Sequence, residues 1–256
     1  MTPGSNHNEA SSPALRGIPP HAQGALRAVL FDAGNTLLFL DYARMAEAVG
    51  DALGLPLTPA GLAQQIPQAT HAMEQSAGTD QDRAAAYLEA LFLQAGVPSS
   101  RIAEVRHCLA RLHRERHLWS SVAERSAESL ERLRAAGLKL GVVSNSDGRV
   151  DEALRAAALR EYFDVVIDSA LMGVEKPDPR IFQAALDALG VAPHEALYVG
   201  DLYHVDVLGA RAAGMDAVLL GNTAPGDCRQ ARSIEDLVDQ LLSGEMHMRR
   251  LAQEGE

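Results

Sequence analysis

From residue 120 onward the chain alternates between short apolar runs and amphipathic stretches, and no other feature narrows the fold as far. "LKLGVVSN" (138–145), "YFDVVIDS" (162–169), "EALYVGD" (195–201) and "DAVLLGN" (216–222) have the length and apolar content of strands. "ERSAESLERLRAAG" (124–137), "VDEALRAAAL" (150–159), "PRIFQAALDALG" (179–190) and "HVDVLGARAAG" (204–214) carry the three-to-four-residue apolar period of helices. Continuously apolar strands separated by helices predict a parallel sheet covered on both faces. "ALRAVLFD" at 25–32 supplies one more strand of that sheet.

Residues 43–119 break the alternation. "ARMAEAVGDALGL", "QDRAAAYLEALFLQAG" and "SSRIAEVRHCLARLHRERHLW" read as helices, with turn signals at Pro56, Thr58–Pro59, Gly78 and Val97–Pro98 and no strand between them. The predicted organisation is therefore a Rossmann-like α/β core, 25–42 and 120–244, interrupted after its first strand by an all-helical insert at 43–119. Residues 1–24, rich in Pro, Gly, Ser and Asn, read as a disordered tail, and 245–256 as a frayed C-terminal tail. Nothing repeats at a fixed period.

Composition excludes several functions. The formal net charge is -11, and the single basic run, "RLHRERH" at 111–117, does not offset it. A binder of the nucleic-acid backbone shows a basic face, so no nucleic-acid partner is expected. No apolar run approaches the roughly 18 residues of a membrane span, and the N-terminus lacks the pattern of a signal peptide. Cys108 and Cys228 are isolated, which suits a reducing compartment. The expectation is a cytoplasmic protein with no membrane partner, and no feature of the sequence fixes an oligomeric state.

In open parallel sheets ligands bind beyond the carboxyl ends of the strands. There the chain places Asp32 and Thr36, Ser144 and Asn145, Lys176 in the loop "GVEKPDP", and Asp201 with Asp206 in "YVGDLYHVD". Two carboxylates brought together repel unless a cation lies between them, and a few oxygen ligands suit Mg²⁺. Lysine and hydroxyl donors suit an anion. A carboxylate beside a metal-bound phosphoryl group is a nucleophile that forms an aspartyl-phosphate. There is no phosphate loop of the GxxxxGK[ST] kind and no GxGxxG fingerprint.

"FDAGNTL", "VVSNS", "GVEKPDPRIF" and "YVGDLYHVDVLGARAAGM", in this order, resemble the four motifs of the haloacid dehalogenase superfamily, over roughly residues 25–243. The insert resembles that superfamily's helical cap. The resemblance implies an Mg²⁺-dependent hydrolase, a phosphatase acting on a small phosphorylated metabolite. It implies Asp32 as nucleophile and metal ligand, the Gly34 carbonyl and Asp201 as metal ligands, and Asp206 as support behind Asp201. Thr36, Ser144 and Lys176 would hold the transferred group, with Asn145 at the same substrate-binding turn. Cap residues 41–46 and the loops near 78–83 would set specificity.

One position departs from the pattern. Phosphatases of the superfamily usually carry a second Asp, the leaving-group acid, where this chain has Gly34. General acid–base help is worth about 10²–10⁴-fold, so weak action on alkyl esters and better action on good leaving groups is expected. Asp41, Tyr42, Tyr203 and His204 are candidate stand-ins. Two rival readings stay open: a 2-haloacid dehalogenase, which needs no acid but carries Ser and Asn where this chain has Gly200–Asp201, and a binding or regulatory protein with little catalysis. Asn35 serves turn geometry. Ser144–Asn145 can cap the following helix. His113 and His117 read as a solvated helix face, and Trp119 as a packing residue at the cap–core joint.

Overall fold

The computed structural model describes residues 26–221 and 228–244; the two stretches read as tails, 1–24 and 245–256, lie outside them. Strands β1 (Ala28–Phe31), β4 (Lys139–Ser144), β5 (Val165–Asp168), β6 (Ala196–Gly200), β7 (Asp216–Leu220) and β8 (Arg229–Ala231) form one sheet in the order β5-β4-β1-β6-β7-β8. Every neighbouring pair is parallel. The α/β class expected from the alternation is the one observed. β8 has no apolar run of its own, "RQA", and only its pairing with β7 makes it a strand.

Alternate residues of β1 serve opposite layers, as the two-residue period of a strand requires. Val29 and Phe31 pack with Leu130, Leu154 and Leu237 from helices α6 (Ser126–Ala135), α7 (Val150–Ala156) and α11 (Ile234–Ser243). Ala28 and Leu30 pack with Phe182, Leu186 and Ala210 from α9 (Pro179–Leu189) and α10 (Leu208–Ala212). β1 is wholly buried, and a central strand covered on both faces is a rigid base for whatever follows its last residue.

Helices α1 (Tyr42–Leu53), α2 (Pro59–Ala63), α3 (Ile66–Gln75), α4 (Asp80–Gln94) and α5 (Ile102–Glu115) follow the first strands and close around their own core of Met45, Val49, Leu62, Leu91, Phe92 and Leu109. The turn signals act as local chemistry dictates. Thr58 caps α2 ahead of Pro59, and Thr79 forms a reciprocal capping box with Asp82 at α4.

Three expectations are corrected. The last helix of the insert stops at Glu115, and Trp119 belongs to a strand, β3 (Trp119–Val122), paired antiparallel with β2 (Leu38–Leu40). This ribbon brings together segments about eighty residues apart, which no local pattern specifies. Ser144–Asn145 do not cap α7; Asp168 accepts from the backbone N–H groups of Gly148, Val150 and Ala170 instead. His113 and His117 are not a solvated face. His113 Nε2 lies 2.7 Å from Asp147, and His117 Nε2 3.8 Å from it, so the pair ties the helical insert to the loop after β4.

Candidate active site

Asp32 ends up beyond β1 because the strand's buried ladder runs straight into it: its backbone N–H donates to the Val199 carbonyl at 2.8 Å. The turn behind it is held by Asn35 at φ 54, the left-handed conformation that Asn tolerates, and the Asn35 side chain also hydrogen-bonds Asp201. β6 delivers Asp201 immediately after Gly200. A Cβ at Gly200 would lie 2.4 Å from the Asp206 carboxyl group, so glycine is needed for Asp206 to fold back against the strand end. There Asp206 accepts from the Leu202 N–H at 2.9 Å.

Lys176 is 4% exposed. Its ammonium donates to Asp32 Oδ1 at 2.6 Å, to Asp206 Oδ1 at 2.7 Å and to the Tyr198 hydroxyl at 2.9 Å. Tyr198 in turn donates to the Val143 carbonyl at 3.0 Å. The Asn145 amide fixes the lysine loop from the side, accepting from Lys176 N–H at 2.7 Å and donating to Lys176 C=O at 3.0 Å. Asn145 thus aims Lys176, and Ser144 is buried at the end of β4, one residue before Asn145.

The charges explain one another. Burial alone would push the Lys176 ammonium down, but Asp206 and Asp32 more than reverse this and hold it charged, well above its ordinary pKa. Burial pushes the Asp32 carboxyl up, Lys176 opposes the push, and the result is about 6. Asp201 is pushed well up by burial and then by the charges of Asp32 and Asp206. Carboxylate oxygens of Asp32, Asp201 and Asp206 all lie within 4.8 Å of one another. Three carboxylates share one ammonium, and the surplus of two negative charges is what a divalent cation neutralises. Asp206 is engaged through both oxygens, by the Lys176 ammonium at Oδ1 and by the Leu202 N–H at Oδ2, which leaves Asp32 and Asp201 as the carboxylates more open to an ion.

Thr36 is buried beyond this cluster, and its hydroxyl has no hydrogen-bond partner. It lines a cleft with Asn35, Arg232, Ser233 and Glu235 that includes none of Asp32, Lys176 and Asp201. Among the candidate stand-ins for the acid, Asp41 is occupied: it caps α1 by accepting from Arg44 N–H at 3.0 Å and pairs with Arg116 at 2.8 Å. His204 is exposed in the turn after β6. Tyr42 shares its hydroxyl with Tyr87 at 3.1 Å, and burial pushes both phenols up. The Asp201 charge is a further, smaller cause of the rise at Tyr87.

Sequence reasoning passed over Tyr198, Tyr87 and Asp168. Tyr198 carried a signal, a polar-tipped aromatic inside a fully apolar strand three residues before Asp201. Tyr87 carried none, since its partner Tyr42 lies 45 residues away on another helix of the insert. Among the described residues no helix is long and apolar enough to cross a membrane.

The chain matches the family model described as haloacid dehalogenase-like hydrolase over residues 26–214. It is 35% identical over 217 residues to haloacid dehalogenase-like hydrolase domain-containing protein 3 of Bos taurus, covering 79% of this chain and 84% of that one. It is 39% identical over 133 residues to a phosphoserine phosphatase of Thermus thermophilus, covering 52% of this chain and 51% of that one. Among solved structures, a dehalogenase superposes with a TM-score of 0.61 at 26% identity, over 85% of this chain and 97% of that one.

Proposed function

The chain belongs to the haloacid dehalogenase-like hydrolases, and from that premise we propose that it is an Mg²⁺-dependent phosphatase that cleaves small phosphorylated metabolites in the cytoplasm through an aspartyl-phosphate on Asp32. The observation that carries this reading is Lys176, buried and charged, 2.6 Å from Asp32, with Asp201 beside them. A second carboxylate next to the nucleophile has no use in displacing halide and a direct use in holding a cation.

Asp32 and Asp201, with the Gly34 carbonyl, would hold Mg²⁺, which when bound neutralises charge on the transferring phosphoryl group. Asp32 attacks phosphorus, the bond to the leaving oxygen breaks, and that oxygen keeps the electron pair. Lys176 keeps Asp32 ionised for this step and offers its charge to the phosphoryl oxygens, and the Ser144 hydroxyl donates to them. In the second step a water attacks phosphorus, the bond to Asp32 breaks, and the water's proton passes to solvent as phosphate leaves. Asp206 and Asn145 hold Lys176 in place. Helices α1–α5 act as the cap whose closure excludes water from the intermediate. The buried, unpartnered Thr36 hydroxyl would offer a further donor to the transferring group.

The test is phosphate release from an aryl phosphate with Mg²⁺ and with chelator, for wild type and Asp32→Asn. Mg²⁺-dependent release lost in Asp32→Asn supports the reading. No release under any condition overturns it and directs the next assay to halide release from 2-haloacids.

A further inference from the structure

Gly34 is the position where a leaving-group acid is missing, and the structure shows what faces that gap. A Cβ built on Gly34 would lie 3.5 Å from Nε1 of Trp119 and 3.7 Å from its Cδ1. The polar edge of the indole therefore looks at the site where a side chain at 34 would stand. The Trp119 N–H is buried and has no hydrogen-bond partner. Native proteins pair more than nine in ten of their buried donors, so an orphan that faces the empty side-chain position two residues after Asp32 is a donor available to a ligand there. The ring is fixed from behind: β3 pairs Trp119 with Leu40, and the Trp119 backbone N–H donates to His117 Nδ1 at 3.2 Å.

We propose that the Trp119 indole N–H, buried against the position that Gly34 leaves without a side chain, receives the leaving-group oxygen by hydrogen bond when substrate occupies that position and so selects phosphoryl compounds whose leaving group departs as a stable anion. The substrate class is aryl phosphates, acyl phosphates and phosphoanhydrides rather than alkyl phosphates. An indole N–H donates a hydrogen bond and transfers no proton at neutral pH. When Asp32 attacks, the bond from phosphorus to the leaving oxygen breaks, its electron pair stays on that oxygen, and the phenolate or carboxylate leaves as the anion. Trp119 stabilises the charge as it develops, in the place where an Asp would have delivered a proton. This rests on the phosphatase reading and adds to it the residue that sets the leaving group.

Rates of Mg²⁺-loaded wild type, Trp119→Phe and Gly34→Asp on phenyl phosphates of graded leaving-group pKa test the assignment. Hydrogen bonds to charged acceptors set the expectation that Trp119→Phe loses about 10- to 100-fold in kcat/KM, more as the leaving-group pKa rises. Gly34→Asp, whose Cβ enters at ordinary contact distance, should flatten the dependence on leaving-group pKa. A Trp119→Phe line parallel to wild type overturns the role of Trp119 and leaves the phosphatase reading standing. A wild type that cleaves none of the series overturns both. A readout independent of turnover uses the fact that Trp119 is the only tryptophan in the chain. Phenyl phosphate bound to Asp32→Asn, which lacks the nucleophile and leaves the ester intact, should change Trp119 emission where inorganic phosphate does not. Binding of phenyl phosphate to Asp32→Asn, measured by calorimetry, with unchanged emission overturns the proposal even if Trp119→Phe fails to fold.

Discussion

Removing divalent cations should turn the carboxylate cluster into a measurable strain on folding, with a pH dependence of defined sign. In the cation-free protein Asp32 is raised from 3.8 to about 6, chiefly by burial, which corresponds to about 3 kcal/mol of destabilisation once both folded and unfolded forms are ionised. A carboxyl whose folded pKa is raised binds its proton more tightly in the folded state. Stability therefore falls as pH rises from the unfolded value through the folded one. Between pH 5 and pH 7.5 the loss from Asp32 is about 1.4 kcal/mol, the rest having been incurred below pH 5. For a domain of this size that is a drop of about 3–6 °C in Tm. Asp201, raised for the same reasons and coupled to Asp32, acts in the same direction. The assay is thermal unfolding by circular dichroism in chelator at the two pH values, comparing wild type with Asp32→Asn. The variant loses a partner of Lys176, but that loss is the same at both pH values because Lys176 stays charged throughout. Wild type should lose more Tm than Asp32→Asn between pH 5 and 7.5, and saturating Mg²⁺ should abolish the difference between the two pH values in wild type. An equal change in both proteins would refute the electrostatic account of the cluster.

Other perturbations probe single links. Lys176→Met leaves Asp32 and Asp206 facing each other without a cation and should cost about 3–5 kcal/mol of stability by chemical denaturation, besides abolishing phosphate release. Asp201→Asn should keep the fold but lose the Mg²⁺ stabilisation read from Tm, which for wild type at a hundredfold over Kd is about 2.7 kcal/mol of unfolding free energy. Gly200→Ala brings a Cβ to 2.4 Å from Asp206 and should lower Tm by several degrees while expelling Asp206 from Lys176, read as a loss of kcat. His117 is held below 6.5 by burial and by His113, so its neutral form contributes stability above that pH that is lost as the pH falls through the folded value. His117→Gln should remove this acid-side loss in denaturation curves between pH 5 and 7.

The sites that could be read from the sequence are those where chain order and physics coincide. A parallel strand ends at the ligand-binding edge, so the acid after "AVLF", the serine after "GVV" and the acid after "YVG" are placed by their strands alone, and the lysine by the loop between two of them. What could not be read depends on pairing across sequence distance. Trp119 reaches Gly34 only because β3 lies antiparallel to β2, and three- or four-residue strands carry too few alternations to announce themselves. Tyr87 meets Tyr42 only through the packing of the insert's helices. Thr36 stands between the two cases: its motif position is plain in the sequence, while the burial of its unpartnered hydroxyl is a property of the turn that Asn35 holds.

Gly34 joins the two cases. The missing acid is plain in the sequence, and so is its consequence for alkyl esters, because both follow from what a side chain can or cannot donate. What fills the role is a property of the fold. A larger residue at 34 would meet the indole, and an indole without its unpaired N–H would leave the gap without a donor. The two residues therefore constrain each other. Restoring an acid at 34 also gives the buried Trp119 N–H an acceptor, so Gly34→Asp should raise Tm in the Mg²⁺-loaded protein at the same time as it raises alkyl phosphate cleavage. Unsatisfied buried donors cost about 1–3 kcal/mol, which sets the size of the gain before the repulsion of a new carboxylate near Asp32 is subtracted. The double variant Gly34→Asp/Trp119→Phe separates the terms: it keeps the added charge but removes the donor, and its Tm should fall below that of Gly34→Asp alone by more than Trp119→Phe costs the wild type. Additive changes would mean that the indole and position 34 do not interact, and the role of Trp119 at the leaving group would lose its geometric basis.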